Sequence, residues 1–263
     1  MGNYVDLIVS EIPKILNQFS PVFEDMALTL FRYFATIILV WFGIQVMFRG
    51  VSAAKFVSLL AIIAITGTLL TYYTAPFPGV GRGFRGIVTD QAAEMTQMIS
   101  AAHFEELQLQ FDRIGAKLEP PGMFDVGGIL QYVLVLGCVV IARALSLFAI
   151  AYGFIAAAVA GLLGPFFIPF LIFPGMDWMF WGWLKAFIQY AFYPVVANAY
   201  TMIMGQILIA FCKHRVTDQA SLSELFIPLV VLLVVYIYGI IKLPSLVSSI
   251  FSGRSGEGAG PGL

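Results

Sequence analysis

The chain has 263 residues, a net charge of −1, 60% hydrophobic and 11% charged residues, and a mean hydropathy of +0.92. A soluble domain is about 45–50% apolar and about 25% charged, and one of this length cannot bury the surplus, so lipid is the solvent for much of the surface. Low charge and 24 Phe exclude a disordered chain, and the near-zero net charge gives no bulk electrostatic basis for nucleic-acid binding.

Long uninterrupted apolar runs replace the short alternating segments of a membrane barrel. They predict an all-α, polytopic helical membrane protein with about five or six transmembrane helices and one amphipathic extramembrane loop. Residues 1–25 form an amphipathic N-terminal segment in which Val5, Ile8, Ile12, Ile15 and Phe19 recur at helical spacing and Ser20-Pro21 interrupts. Its acidic residues Asp6, Glu11, Glu24 and Asp25 are unlike the basic start of a cleavable signal.

Residues 26–75 hold a first transmembrane pair, Met26–Phe48 and Phe56–Thr74, joined by a basic turn from Arg49 to Lys55 and stopped by Ala-Pro-Phe-Pro-Gly at 75–79. Residues 76–128 are the one extended polar region. Val88, Ala92, Met95, Ile99 and Ala102 make one apolar stripe, and Phe104, Leu107, Phe111, Ile114 and Leu118 make a second, shifted in phase. The pattern predicts two linked amphipathic helices or one broken helix, read either as a cap on the membrane domain or as a partner-docking surface through Met95, Ile99, Leu107 and Phe111.

Residues 129–242 form the transmembrane core, with expected spans at about 127–146, 147–168, 183–212 and 225–241. Between them, 164–175 carries Gly164, Pro165, Pro169, Pro174 and Gly175, which no regular helix accommodates. Apolar backbone this irregular at membrane depth has to be packed in protein or line a cavity, so the segment reads as a pore-lining or re-entrant turn, or as a wide interfacial loop before the belt of Trp178, Trp181 and Trp183. Pro194 and Pro228 are expected to kink their helices. Residues 243–263 form a flexible Gly-rich tail.

With six spans, the basic points Arg49/Lys55, Arg143 and Lys213–Arg215 fall on one side of the membrane, and the N-terminus, the loop 76–128 and the turn 164–182 on the other. The positive-inside rule then makes the loop periplasmic. Lys242 and Arg254 pull the other way, so the side of the C-terminus and the choice between five and six spans stay open.

Few residues suggest chemistry. Arg143 is an intramembrane charge, functional by default, but it also fits a side chain snorkelling from a helix boundary. Ala149, Gly153, Ala157 and Gly161 form a four-residue repeat that lets another helix approach closely, within the protomer or in a homo-oligomer. His103 lies beside Glu105 and Glu106 with no second His or Cys spaced to complete a metal site. Cys138 and Cys212 sit in apolar runs and read as buried small residues. Nucleotide, zinc-protease and hydrolase motifs are absent from the sequence. The expectation is a non-enzymatic protein with no catalytic, cofactor or metal site.

Three stretches resemble the TrbL-type family of conjugation and type IV secretion proteins. The first is Phe31 to Gly50, closing on Trp41-Phe-Gly-Ile-Gln-Val-Met-Phe-Arg-Gly. The second is Pro76-Phe-Pro-Gly-Val-Gly-Arg-Gly-Phe, followed by an amphipathic helix with Asp90-Gln91. The third is Gly161-Leu-Leu-Gly-Pro-Phe-Phe-Ile-Pro-Phe-Leu-Ile-Phe-Pro, leading into Trp181-Gly-Trp-Leu-Lys. Order and spacing match across about residues 25–240, while the short tail departs from relatives with long C-terminal extensions.

The resemblance implies a bacterial inner-membrane component that assembles with other copies and helps build the secretion channel or pilus. It implies contacts with pilin and stalk subunits, the inner-membrane scaffold and the secretion ATPases, and a path for translocated DNA or protein. The competing expectation is a secondary transporter or small-solute channel, for which Arg143, Gln189 and Asn198 are the scant polar material.

Overall fold

A computed structural model describes residues 2–50, 52–117, 126–215 and 222–252. These residues form six α-helices and a short 3-10 turn, with no strand among them: α1 Gly2–Arg49, α2 Ala53–Thr71, α3 Phe84–Lys117, α4 Val126–Phe167, the 3-10 turn Ile168–Ile172, α5 Asp177–Arg215 and α6 Leu222–Ser252. The tail 253–263 lies outside the described residues. Five helices are long and apolar enough to cross a membrane: α1, α2, α4, α5 and α6. The chain divides into two compact units, one of residues 6–91 and 154–191, the other of residues 1–5, 92–153 and 192–263.

In the first unit, α1 and α2 form an antiparallel hairpin of constant register. The Phe42 and Phe56 rings lie 5.5 Å apart, Gly67 faces the Phe31 ring, and Thr74 Oγ1 donates to Glu24 Oε1 at 2.7 Å. Gly50, at φ +58°, ends α1 in the left-handed form, its N–H bonded to Val46 O at 3.3 Å. Pro21 lies inside α1, so the expected interruption at Ser20-Pro21 does not occur. Ser20 is buried and accepts a hydrogen bond from Arg85; tertiary packing holds the helix through a proline that an isolated segment would not tolerate.

The proline–glycine run after α2 is a tied loop. Phe77 N–H bonds Arg82 O at 3.0 Å, Phe84 N–H bonds Tyr72 O at 2.9 Å, and Arg85 N–H bonds Tyr73 O at 3.0 Å. Gly79 and Gly81 take φ +83° and +74°, open only to glycine at little cost. A Cβ on Gly83 would lie 2.7 Å from the Thr74 backbone.

α3 is one helix where two, or one broken, were expected. Phe84 and Val88 pack in the first unit, whereas Ala92, Thr96 and Phe111 are buried in the second.

α4 corrects a second expectation. The spans 127–146 and 147–168 are a single helix of 42 residues, because nothing between Arg143 and Ile150 breaks helical geometry. Arg143 marks no helix boundary: it lies inside α4, and its Nη1 donates to Asp112 Oδ1 of α3 at 2.5 Å. Arg143 and the loop helix therefore cannot lie on opposite membrane faces, as the six-span count had placed them.

The rest of the second unit packs on aromatic–glycine contacts. Tyr236 shares a 2.7 Å hydrogen bond with Ser146 and meets Phe111 edge-on. Tyr200 donates to Tyr236 O at 3.1 Å and fills the notch at Gly239. Gly153 faces Tyr193 and Pro194 of α5, where an added Cβ would lie 2.7 Å from the proline ring. Pro194 and Pro228 both lie inside their helices. Gly153→Ala should therefore cost about 1–3 kcal/mol by overpacking and lower the thermal unfolding midpoint in detergent, whereas Gly137→Ala, with nothing within 4 Å, should leave it unchanged or raise it.

Candidate functional site

The irregular segment of the sequence begins where α4 meets its own proline. In an α-helix the carbonyl of residue 161 accepts the N–H of residue 165, but Pro165 has none. The Gly161 carbonyl is thus freed in an apolar setting, where an unpaired acceptor costs about 1–3 kcal/mol. Tyr73, from the loop after α2, supplies the missing donor: its hydroxyl bonds Gly161 O at 2.6 Å.

The sequence makes room for that ring one turn along. A Cβ on Gly164 would overlap Tyr73 Oη and lie 2.5 Å from Trp183 Cζ2. Trp183 Nε1 donates to Ala160 O at 2.8 Å, so the carbonyl preceding Gly161 also receives a side-chain donor. Trp183 stacks on Phe187 at 5.5 Å and 8°, and Ala27, Leu70, Ile168 and Phe180 complete the buried cluster.

Polar groups ring one end of this cluster. Arg85 lays its aliphatic stem against Gly161 and directs Nη1 to Ser20 Oγ at 2.6 Å, while Glu24 accepts from Thr74. Burial pushes the Tyr73 phenol above its ordinary range; the Arg85 charge acts in the opposite sense and Glu24 in the same sense. The proton stays on Tyr73, and it acts as a donor.

Beyond Pro165 the chain tightens. Pro169 lies in the 3-10 turn, Phe173 N–H bonds Phe170 O at 3.2 Å, and Pro174 leads to Gly175 at φ +86°. The Phe34 ring receives both Phe170, at 5.3 Å, and Phe173, at 5.4 Å. Asp177 opens α5, placing a carboxylate on the positive end of that helix.

Of the four residues singled out for the irregular segment, Gly164 and Pro165 lie in the last turn of α4, with Gly164 against Tyr73, while Pro169 lies in the 3-10 turn and Pro174 between that turn and α5. Of the small-residue repeat, Gly161 meets Phe187 and Arg85 in the first unit and Gly153 meets Tyr193 and Pro194 in the second, and Ala149 and Ala157 are buried. Of the four docking residues, Met95 is exposed and Phe111 is buried against Tyr236, while the side chains of Ile99 and Leu107 lie outside the described residues. Sequence reasoning missed Tyr73, Trp183 and Arg85. The spacing of Gly161 and Pro165 announces a freed carbonyl, but nothing in the sequence says which donor reaches it.

Over residues 35–243 the sequence matches the TrbL/VirB6 plasmid conjugal transfer protein family, and the chain belongs to that family. No curated protein matches it. Membership and the five apolar helices make it a multi-pass membrane protein and a component of a conjugal transfer or type IV secretion system.

The proline and the tyrosine should be energetically coupled. Tyr73→Phe leaves the Gly161 carbonyl unpaired and should cost about 1–3 kcal/mol in the native chain. In the Pro165→Ala background, which restores the helical N–H, the same change should cost markedly less. A double-mutant cycle of thermal unfolding in detergent measures the difference, and equal costs in both backgrounds would refute the substitution of one donor for the other.

Proposed function

We propose that the chain is a non-enzymatic inner-membrane channel and assembly component of its type IV secretion machine. In this reading it helps assemble the pilus and move the substrate, DNA or protein, by shape rather than by chemistry. The observation that supports this most directly is the Gly161–Gly175 segment. Two glycine notches, a freed carbonyl and three prolines are there invested in fitting aromatic rings together, and the family match runs through all of it.

In this reading the turn at Gly164, Pro165, Pro169 and Pro174 shapes the surface that meets other copies or the passing substrate. The repeat Ala149, Gly153, Ala157 and Gly161 sets how closely α4 and α5 approach. α3, through Met95, Ile99 and Leu107, offers the docking face of a periplasmic loop. Pilin and stalk subunits, the inner-membrane scaffold and the secretion ATPases are the proposed partners, and further copies of the chain complete a homo-oligomer.

Mating assays with crosslinking test this. Gly164→Leu, at a membrane level equal to the unsubstituted protein, should lower transfer by orders of magnitude and remove crosslinks to secretion components. Gly182→Ala, with open space around it, should do neither. Met95→Arg should lose partner crosslinks while leaving the thermal unfolding midpoint in place. Normal transfer by Gly164→Leu would overturn the role assigned to the turn.

A further inference from the structure

In the second unit, two adjacent residues fasten α3 to its neighbours. Phe111 is 1% exposed, its ring 6.0 Å from that of Tyr236 on α6, and Asp112 accepts from Arg143 Nη1 on α4. The other buried side chains described on α3 in this unit, Ala92 and Thr96, are small. The Thr96 hydroxyl turns back to Ala92 O of its own helix at 2.8 Å, so it ties α3 to nothing else. Met95, Met98 and Leu109 are exposed.

The polar half of this fastening is light. The Asp112 side chain is 58% exposed and that of Arg143 25%, and an ion pair so open adds little to stability. Closure also leaves a donor stranded: Arg143 Nε is buried with no acceptor among the described residues. Buried donors in native structures are seldom left so, and each one asks for a reason.

At the Phe111 contact, the polar groups of the neighbouring helices are bonded without α3. Tyr236 Oη and Ser146 Oγ share a hydrogen bond of 2.7 Å, and Ser146 Oγ also reaches Ala142 O at 2.6 Å. Tyr200 donates to Tyr236 O at 3.1 Å. All three bonds lie among α4, α5 and α6, and all three survive the departure of α3. Among the described residues, that departure forfeits the burial of one phenyl ring, two small side chains and one open ion pair, and it frees the Arg143 guanidinium to turn. Segments that open locally are those with few buried apolar contacts.

We propose that α3 is a strap: over residues 92–117 it closes on α4 and α6 through the latch Phe111–Asp112, and it lifts while the rest of the unit stays folded. Lifted, it bares the edge of the Tyr236 ring beside the Arg143 cation, a surface that closure hides. The strap stands apart from the role proposed for α3 above, but it bears on it. Phe111, expected from the sequence to meet a partner, is available to one only in the lifted state.

Distances within the unit test this, in protein whose Cys138 and Cys212 are replaced by Ala. Nitroxides at the exposed positions Leu109→Cys on α3 and Ile203→Cys on α5 report the strap by double electron–electron resonance in detergent. A second pair, Val140→Cys on α4 and Val234→Cys on α6, reports the unit beneath it. With the latch intact, the first pair should give one main, short distance. Phe111→Ala should raise the ratio of a longer component to the short one by at least about tenfold, the effect of losing one buried phenyl ring. Asp112→Asn should raise it about two- to fivefold, and Asp112→Arg combined with Arg143→Asp should bring it back toward the starting ratio. The Val140–Val234 distance should stay the same throughout. One unaltered Leu109–Ile203 distance in both Phe111→Ala and Asp112→Asn would make α3 a fixed wall of the unit and overturn the strap. Broadening of the Val140–Val234 distance in step with the first pair would overturn it too, because the unit would then be unfolding instead of opening.

Discussion

A carbonyl that proline has stripped of its helical partner needs another donor, and away from water only the protein can supply one. Here the donor is the Tyr73 hydroxyl, and much of the first unit follows from delivering it. The tied loop 72–85 fixes Tyr73 by its backbone, Gly83 lets that loop close, and Gly164 clears space for the phenol ring. Arg85, held by the same loop, caps the contact from outside while bonding Ser20 of α1. A single hydrogen bond of 2.6 Å thus joins the α1–α2 hairpin, the start of α3 and the end of α4.

The same economy explains the aromatic content. Glycine notches at 153, 164 and 239 are each filled by a tyrosine, tryptophan or proline ring from another helix. Between apolar helices in lipid, hydrophobic burial offers little drive, and close packing with a few hydrogen bonds has to supply it. Tyr73, Tyr200 and Tyr236 do both, burying a ring and donating or sharing a hydroxyl. Rings of this size need partners without side chains, which is why Gly→Ala is severe at some helical glycines and harmless at others such as Gly43 and Gly137.

The helical class, the number of apolar helices and the irregularity at 164–175 were legible because they rest on local rules: hydropathy length, proline geometry and glycine φ. The continuity of α1 through Pro21 was not, because tertiary packing around Ser20 carries the helix past a proline, and that of α4 through residue 147 was not, because Arg143 reads as a boundary charge. Arg85 bonds the buried Ser20 in α1, and Asp112 pairs the charge that had marked a helix boundary in α4. Arg143 shows the difficulty most clearly. An arginine amid apolar residues reads as a helix end when its partner, 31 residues earlier in the chain, is unknown. Tyr73 was overlooked for a related reason: in sequence it is one of two tyrosines closing an apolar run, and its role appears only when Gly161 is placed beside it.

The three stretches that carry the family resemblance, 31–50, 76–91 and 161–185, all fall within one compact unit. There they are parts of a single packing arrangement. The first offers Phe34 to the turn, the second forms the loop that presents Tyr73 and Arg85, and the third is the turn with its notch and freed carbonyl. Residues set by such an arrangement are prolines, glycines and aromatics at fixed spacing, with few ionisable groups among them, and that is the composition of these stretches. A family recognised through them is recognised by a packed shape rather than by a set of reactive groups. It follows that substitutions altering the shape without adding or removing charge, at Gly164 above all, should disturb the packing of this unit and its part in transfer together.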